Sequence, residues 1–307
     1  MTSPTDITFL GHLCYDEIHP FGGKPSTAPG SAVLCGAMAA ARVGAKVTVV
    51  TRMSPADEPI LEPLRALGVD CVLVPVAHTT RMRVVHPCAD VDVREMNQTA
   101  NAGYLQVTDM PAICSRFVHL AGITDQEFTL DLIRGLRARG YSVSADMQSF
   151  VRQVDPVTRK IAFADVPAKA EIAGLLDRVK LDVVEARILP GSDDLAAAAK
   201  QFADWGCPEV VITRADGVLA RVDGETFFEP FSNRSVVGRT GRGDTTFAGY
   251  MARRLSHPPA AALKFAAALV SLKMETLGPF AGTLQDVLER MESGLIRAPS
   301  SDGFRVD

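Results

Sequence analysis

The sequence lacks the features that mark several common classes of protein. It has no long Lys/Arg run and its formal net charge is -4, so no broad positive field would attract a nucleic acid. No apolar run reaches the roughly 20 residues that a membrane-spanning helix needs. The first residues, MTSPTDITFLGHL, contain no basic segment followed by a long apolar core. These absences predict a cytoplasmic protein with neither nucleic-acid nor membrane partners.

Paired metal-binding or redox cysteines are also missing. The six cysteines are scattered without a Cys-x-x-Cys pair, and the six histidines show no His-Glu-x-x-His spacing. We interpret the thiols as reduced side chains that fill core positions. With 307 residues, of which 47% are hydrophobic and 22% charged, the chain is long and apolar enough to bury a large core. Without internal repeats, residues 1–307 are expected to form a single domain.

Short β-branched runs alternate with helical patterns along most of the chain. The predicted strands are 46–51, 69–76, 116–122, 141–146, 181–186 and 209–214. The predicted helices are 31–44, 125–140 and 192–206, and the chain is expected to be almost wholly helical after residue 243. This alternation predicts an α/β fold with a mostly parallel sheet and helices on both faces, in which ligands bind at the carboxyl ends of the strands.

Two stretches break the alternation. Residues 12–28 are rich in Gly and Pro, and residues 78–107 alternate like exposed antiparallel strands. Neither stretch could bury a core alone, so the two together predict a small β-layer over the site, acting as a lid. Because exposed strand edges favour pairing, this lid is also a candidate surface for a homodimer.

The strongest local signal is VVGRTGRGDTTFAGYMARRL (236–255), where Gly241 and Gly243 flank Arg242 directly before Asp244 and a helix. Free amides and the positive end of the helix dipole make such a helix start an anion site, and glycines let a phosphate approach the backbone. Asp244 has two interpretations. It is either a helix-capping residue or a base that takes a hydroxyl proton as a phosphoryl group arrives.

The segment TGRGDTTFAG resembles the T-G-A-G-D-x-F signature of the ribokinase-like, or PfkB, carbohydrate kinase family. Five further segments resemble motifs of this family in the same order. They are GHLCYDEI (11–18), similar to its first strand, PGSAVLCGAMAAARVGA (29–45), DMQSFVR (146–152), LDVVEA (181–186) and VVITRADG (210–217). The resemblance spans nearly the whole chain. It implies a ribokinase-like three-layer sandwich and ATP-dependent transfer of a phosphoryl group to a hydroxyl.

The resemblance also implies roles for individual residues. The catalytic residues would be Asp244, as the base, with Gly241, Arg242 and Gly243. The acceptor would bind to Asp16, Gly30, Ser31 and Arg152. The nucleotide would bind near Thr213, Gly217, Leu263, Ala266 and Ala267. Asp182 and Glu185 would orient Mg²⁺ through water, and the family resemblance allows a monovalent cation in addition.

Several positions depart from the family pattern. Arg242 replaces a small residue between the two glycines, Asp182 replaces the Asn of N-x-x-E, Cys35 replaces an Asn of the first helix, and the nucleotide loop has lost a glycine. Arg242 either adds positive charge beside the transferring phosphate or points outward. Asp182 and Glu185 are otherwise a solvated pair. Each substrate residue has a structural alternative as well, such as a strand end or a turn.

Three other functions compete with this interpretation. A dinucleotide-dependent dehydrogenase would need G-x-G-x-x-G after its first strand, whereas here G-x-G lies near the C-terminus and residue 246 is Thr. A non-catalytic ligand-binding relative is opposed by the presence of Asp244. Within the kinases, the motifs are more similar to the inositol-kinase-like branch, so a cyclic polyol or sugar is the first acceptor and a nucleoside the second.

Overall fold

The computed structural model describes residues 4–89 and 93–293. Its strands are β1 (Thr5–Leu10), β2 (Cys14–His19), β3 (Ser26–Gly30), β4 (Val47–Met53), β5 (Asp70–Pro75), β6 (Thr80–Val85), β7 (Glu95–Ala100), β8 (Ser115–Leu120), β9 (Val143–Asp146), β10 (Arg152–Val154), β11 (Ile161–Phe163), β12 (Arg178–Asp182), β13 (Glu209–Thr213), β14 (Gly217–Val222) and β15 (Glu225–Pro230). Its helices are α1 (Ala32–Arg42), α2 (Glu62–Arg65), α3 (Leu130–Ala138), α4 (Gln148–Val151), α5 (Lys169–Leu175), α6 (Val183–Ile188), α7 (Leu195–Asp204), α8 (Arg242–Arg254), α9 (Pro259–Met274) and α10 (Leu284–Ser293). Short 3₁₀ turns cover Pro55–Leu61 and Val107–Asp109.

The main sheet has nine strands in the order β15-β14-β13-β12-β9-β8-β1-β4-β5. The seven strands from β13 to β5 run parallel, whereas β14 and β15 extend the sheet as an antiparallel hairpin. Strand β1 lies between β8 and β4, with Ile7 opposite both Val47 and Phe117. The carboxyl ends of the parallel strands therefore meet along one edge of the sheet.

Helices cover both faces of this sheet. One apolar core includes residues of α1, α8 and α9, and a second lies against the other face under α3, α5 and α7. This arrangement confirms the predicted α/β sandwich with a mostly parallel sheet. Within the described ranges, no helix combines the length and the apolar character that crossing a bilayer requires.

The prediction of a strand over 181–186 was partly wrong. Strand β12 ends at Asp182, whose side chain accepts hydrogen bonds from the amides of Val184 and Glu185 and so begins α6. Val183 and Val184 look like strand residues, but they are 36% and 40% exposed on the helix surface. The Asp-x-x-Glu spacing of a capping box was the signal that favoured a helix here.

Two other boundaries differ from expectation. The first strand is Thr5–Leu10, so GHLCYDEI (11–18) is not the first strand but the connection after it together with most of β2. Helix α3 begins at Leu130 rather than near 125, because Thr129 is its N-cap and accepts from the amide of Leu132 at 3.2 Å. The segment 125–129 is instead a connection with polar side chains.

A second sheet of four strands, in the order β3-β2-β6-β7, stands apart from the main sheet. Its strands come from the two stretches, 12–28 and 78–107, that break the α/β alternation. The pairs β2–β3 and β6–β7 are antiparallel, whereas β2 and β6 are parallel. Residues 90–92 of the second stretch lie outside the described residues. The role of this sheet as a lid stays a prediction.

A buried histidine joins the two sheets. His12 is fully buried between β1 and β2, and its ring contacts the Thr80 hydroxyl at 2.8 Å and the Gly103 carbonyl at 2.9 Å. Burial lowers the pKa of His12, which favours the neutral ring. Its Nε2–H then donates to the carbonyl and its Nδ1 accepts from Thr80. The His12 amide also donates to the buried Glu127 carboxylate at 2.8 Å.

Candidate active site

The start of α8 forms a glycine-lined turn. Gly241 is its N-cap residue, with a φ of 78° in the left-handed region that favours glycine. The amides of Gly243 and Asp244 belong to the first turn and have no acceptor within the helix. The Arg242 amide is already used, since it donates to the Arg239 carbonyl at 3.1 Å. The helix start thus presents amide donors in the arrangement that binds anions.

A buried ion pair lies directly against this turn. Lys180 on β12 and Asp146 on β9 are opposite each other in the sheet, with Nζ 2.9 Å from Oδ2 and side-chain exposures of 4% and 1%. A Cβ added to Gly243 would come within 2.9 Å of Lys180 Nζ. The glycine therefore allows the backbone of the turn to approach the ammonium.

Burial and neighbouring charges act in opposite directions on the pKa values of this pair. Burial alone would lower the pKa of Lys180, but the carboxylates of Asp146 and Glu185 outweigh it and raise the pKa overall. Burial raises the pKa of Asp146, although Lys180 opposes the shift. The sequence patterns did not reveal this pair. A lone lysine within the apolar run of β12 was the available signal, since a buried Lys needs a partner.

The half-buried Asp244 lies in the first turn of α8, within electrostatic reach of several ionisable groups. Its negative charge affects the pKa values of Lys180, Lys273 and Cys35. Burial and the charge of Asp244 raise the pKa of the Cys35 thiol to about 12, with a smaller effect from Asp16. A Cβ on Gly241 would come within 2.6 Å of Cys35 Sγ, so this neutral thiol lies against the helix start.

Asp16 lies on β2 opposite Ala28, beside the neighbouring strand's Gly30. A Cβ on Gly30 would lie 2.1 Å from Asp16 Oδ2, so only glycine leaves room for this carboxylate. Cys14 Sγ donates to Asp16 Oδ1 at 3.3 Å. Burial raises the pKa of Asp16, and the charge of Arg152 partly offsets the increase. The structure thus brings the predicted residues Asp16, Gly30 and Arg152 together.

The other acceptor residues also have defined local roles. Ser31 has a φ of 125°, an unusual conformation for a residue with a side chain, and its hydroxyl caps α1 by accepting from the Leu34 amide at 3.1 Å. The buried Nε of Arg152 has no hydrogen-bond partner among the described residues. The charge of Arg152 acts on both Asp16 and Glu185. Arg152 therefore connects the acceptor side with the end of β12.

Asp182 and Glu185 form a reciprocal capping box. Asp182 accepts from the amides of Val184 and Glu185, and Glu185 Oε2 accepts from the Asp182 amide at 2.7 Å. Glu185 is fully buried, and burial raises its pKa. Its Oε1 has no hydrogen-bond partner among the described residues. Across residues 4–89 and 93–293, no group of three or more His, Cys, Asp or Glu side chains is arranged to hold a metal ion.

The residues predicted to bind the nucleotide lie in three different environments: the helix start, the β14–β15 hairpin and the apolar core. Thr213 ends β13 and lies close to Gly243 at the helix start. A Cβ on Gly217 would come within 2.5 Å of the Phe228 ring, so packing within the β14–β15 hairpin explains this glycine. Leu263 and Ala267 on α9 are 0% and 3% exposed and belong to the apolar core, as does Ala266. Their contact with a nucleotide stays a prediction.

The site has two groups of residues with different chemistry. The helix amides, the Lys180 ammonium and the Asp244 carboxylate form a part that suits an anion beside a base. The Asp16 carboxylate and the Arg152 guanidinium suit a polar ligand with several hydroxyls. A carboxylate beside a bound phosphate is the arrangement that phosphoryl transfer to a hydroxyl requires.

Comparison with known proteins agrees with this chemistry. A model of the pfkB family of carbohydrate kinases matches residues 6–284. The chain belongs to this family. It is therefore a carbohydrate kinase of the pfkB type, as the motifs around Asp244 predicted.

Two solved structures of similar proteins are pyrophosphate-dependent kinases. A pyrophosphate-dependent kinase in the ribokinase family, in complex with sulfate, is 32% identical with a TM-score of 0.85, and the match covers 92% of this chain and 99% of that one. A pyrophosphate-dependent kinase in the same family, in complex with a pyrophosphate analogue and myo-inositol, is 31% identical with a TM-score of 0.84 over the same shares. These matches confirm the ribokinase-like fold and the similarity to the inositol-kinase-like branch.

A curated relative binds a different kind of acceptor. The cytidine kinase of Thermococcus kodakarensis is 27% identical over 257 residues, which are 80% of this chain and 87% of that protein. This chain is therefore similar both to a kinase solved with myo-inositol and to a kinase named for a nucleoside.

Proposed function

We propose that this kinase transfers a phosphoryl group to a hydroxyl of a cyclic polyol or sugar, with Asp244 as the general base. The observation that carries the proposal is the position of Asp244 in the glycine-lined first turn of α8, near the Lys180 ammonium. A hydroxyl is a weak nucleophile at neutral pH. A carboxylate within hydrogen-bond reach removes its proton as the new P–O bond forms.

The phosphoryl group is held by donors that are fixed before the reaction. The amides of Gly243 and Asp244 bind its oxygens, and Lys180 supplies a positive charge that Asp146 holds in place at 2.9 Å. Preorganised donors of this kind stabilise developing charge without reorganisation. Arg242, at the first position of α8, is proposed to add a further positive charge.

The acceptor is recognised at the other end of the site. Asp16 accepts hydrogen bonds from neighbouring hydroxyls, Arg152 donates to them, and Gly30 and Ser31 let the ring approach the backbone. The relative that binds myo-inositol supports a cyclic polyol as the first candidate. The cytidine kinase relative supports a nucleoside as the second.

We propose pyrophosphate as the first donor to test and ATP, the donor implied by the motifs, as the second. The solved relatives described above, at 31% and 32% identity, are pyrophosphate-dependent kinases. Leu263 and Ala267, predicted to contact a nucleotide, are buried in the core, and Gly217 is explained by the Phe228 ring. A small polyanion needs only the cationic helix start, whereas ATP needs a further surface for its base.

The residues present fit a magnesium ion held mainly by the donor. The buried Oε1 of Glu185 has no partner among the described residues and would accept a hydrogen bond from a metal-bound water, while substrate phosphates and waters would hold most of the ion. Asp182 is committed to capping α6. When bound, Mg²⁺ would neutralise phosphate charge, and Glu185 is the residue that would orient it through water.

The four-stranded sheet is proposed to close over the acceptor, because it contributes Asp16 and Gly30 to the site. Strand β3 is an exposed edge, which also makes it a candidate dimer contact. Acceptor binding should protect the amides of β2 and β6 from hydrogen exchange, and unchanged protection would contradict the lid. Sedimentation would test the dimer. A soluble phosphoryl donor supports the predicted cytoplasmic location.

A donor-by-acceptor matrix tests the proposed function. Purified enzyme with Mg²⁺ is incubated with pyrophosphate or ATP and with myo-inositol, hexoses or cytidine, and phosphorylated products are detected by ³¹P NMR. The matched control is Asp244→Asn enzyme prepared in the same way, which excludes a contaminating kinase. Transfer to a cyclic polyol supports the proposal. Folded enzyme that transfers phosphate to none of these acceptors, or equal activity of the Asn variant, would refute it.

A further inference from the structure

Lys273 lies in the last turn of α9 and is 1% exposed, although it has no assigned role in the reaction. Its Nζ donates to two backbone carbonyls, those of Gly238 and Thr240. No carboxylate within the described residues lies at ion-pair distance from it. A buried ammonium whose partners are backbone carbonyls is unusual, because removal of a charge from water is costly and a carboxylate is the common compensation.

The two carbonyls belong to the segment that leads into the active-site helix. Gly238 and Thr240 precede the left-handed Gly241 and the first turn of α8. The same end of α9 holds the segment a second time, since the Gly238 amide donates to the Met274 carbonyl at 2.9 Å. A Cβ on Gly238 would lie 1.7 Å from the Thr276 carbonyl oxygen, so the segment packs directly on the end of α9.

The ammonium therefore determines the path of the backbone that delivers Asp244 and the phosphate-binding amides. Its charge is also close enough to Asp244 and Cys35 to interact with both. Carbonyl oxygens turned toward one point are the ligands that a desolvated potassium ion uses in proteins. Here the Lys273 ammonium, which carries the same charge as a potassium ion, occupies the position between the two carbonyls. The carbonyl pair of Gly238 and Thr240 is consequently not available to a monovalent cation.

We propose that Lys273 is a built-in cation: its ammonium holds the Gly238–Thr240 carbonyls where a bound monovalent ion would otherwise be needed, so that the enzyme requires no such ion. Lys273 is a positioning residue, since it acts through the loop and not on the substrate. The monovalent cation allowed by the family resemblance does not fit this chain. The kinetic consequence depends on the proposed function, but the ion-binding consequence does not.

The first experiment measures ion binding through thermal stability and needs no turnover. The melting temperature of the wild type should be the same in potassium, ammonium and tetramethylammonium chloride, the last being too large for a two-carbonyl site. Lys273→Ala should melt at a lower temperature and gain about 2 °C in potassium or ammonium at roughly ten times the dissociation constant. The matched control is Lys264→Ala on the same helix, which removes a lysine away from the loop and should show no ion-specific gain.

The second experiment uses the active donor and acceptor. Lys273→Ala should lose about 100-fold in kcat, as expected for a displaced catalytic group, and should regain activity with ammonium or potassium in a saturable manner. Wild-type kcat should not depend on the monovalent ion. A wild type that is inactive in tetramethylammonium chloride and is activated by potassium would overturn the proposal, even if the Ala variant fails to fold. A folded variant with neither ion-dependent melting nor ion rescue would also overturn it.

If the enzyme transfers phosphate from neither donor, the thermal comparison still decides the matter. Ion-specific stabilisation of Lys273→Ala alone would support the built-in cation and leave the proposed reaction as the part in error. Equal stabilisation of wild type, Lys273→Ala and Lys264→Ala would show an ion effect unrelated to this site, and the inference would be lost.

Discussion

Replacement of Lys180 by Met separates the two roles of the buried ion pair. Met keeps an unbranched side chain of similar length but removes the ammonium that lies between Asp146 and Gly243. Asp146, which is 1% exposed, is then left without a counter-charge and must either stay ionised at a high cost or bind a proton. The variant should therefore lose stability for an electrostatic reason and activity for a catalytic one.

The expected magnitudes follow from the burial of the pair. Breaking a buried ion pair by removing one partner costs about 3–5 kcal/mol. For a chain of this length that cost is a fall of about 5–8 °C in melting temperature. Because the pKa of Asp146 is already raised by burial, it rises further without Lys180. Beside Lys180 this pKa is about 6, so the difference from wild type should be largest at pH 8 and should shrink as pH falls toward 6.

The double variant Lys180→Met/Asp146→Asn is the decisive control. Asn keeps an oxygen for the Gln148 amide, which donates to Asp146 Oδ1 at 3.1 Å, but carries no charge. It should recover part of the lost stability, since an imperfectly paired neutral group costs about 1–3 kcal/mol. Activity should stay at least about 100-fold below wild type, the usual cost of losing one donor to developing charge.

Thermal melts over pH 4–8 and kcat with the active donor measure these effects. A double variant with activity close to wild type would mean that Lys180 is only structural. A single variant as stable as wild type at pH 8 would mean that Asp146 does not depend on the Lys180 charge, and the electrostatic reasoning would fail.

Three further predictions concern single residues. Asp244→Asn keeps the shape of the side chain and should melt like wild type but lose about 10²- to 10⁴-fold in kcat, whereas a merely structural cap would leave kcat within a few-fold. Arg242→Ala should lower kcat by about tenfold, the value of one charge-assisted hydrogen bond, with an unchanged melting temperature, and an unchanged rate would assign Arg242 to the surface. Burial lowers the pKa of His119 from 6.5 to about 3. The stability due to its neutral ring is thus complete above about pH 6.5 and is lost at about 1.4 kcal/mol per pH unit as pH falls toward 3. His119→Gln should flatten this slope in thermal melts, and an unchanged slope would exclude His119 as its source.

The strands of the parallel sheet were predictable because a strand covered on both faces needs a continuous apolar run. Examples are β4 (Val47–Met53) and β13 (Glu209–Thr213), whose side chains are almost all buried. Strand β1 was missed because Thr5, Asp6 and Thr8 interrupt its apolar pattern. The polar groups are satisfied by contacts far away in the sequence, such as Thr5 with Thr48 at 2.9 Å.

The candidate site divides in the same way. Asp244 and Asp16 could be proposed from the sequence because local motifs point to them. Lys180, Asp146 and Lys273 were not, because their partners lie on other strands and loops, up to 35 residues away in the case of Lys273 and Gly238. A charged residue within a buried element signals that a partner exists. It does not reveal which one.

The junction around His12 sets how the small sheet can separate from the large one. Three of the four chain passages between the sheets meet at this ring: its own segment, the start of β6 at Thr80, and the segment after β7 at Gly103. The Ala102 amide also donates to the Thr80 hydroxyl at 3.1 Å, so a fluctuation that frees any one passage breaks a hydrogen bond to each of the other two. These passages must therefore open as one cooperative unit, with a higher free energy of opening than any single loop of their length would have.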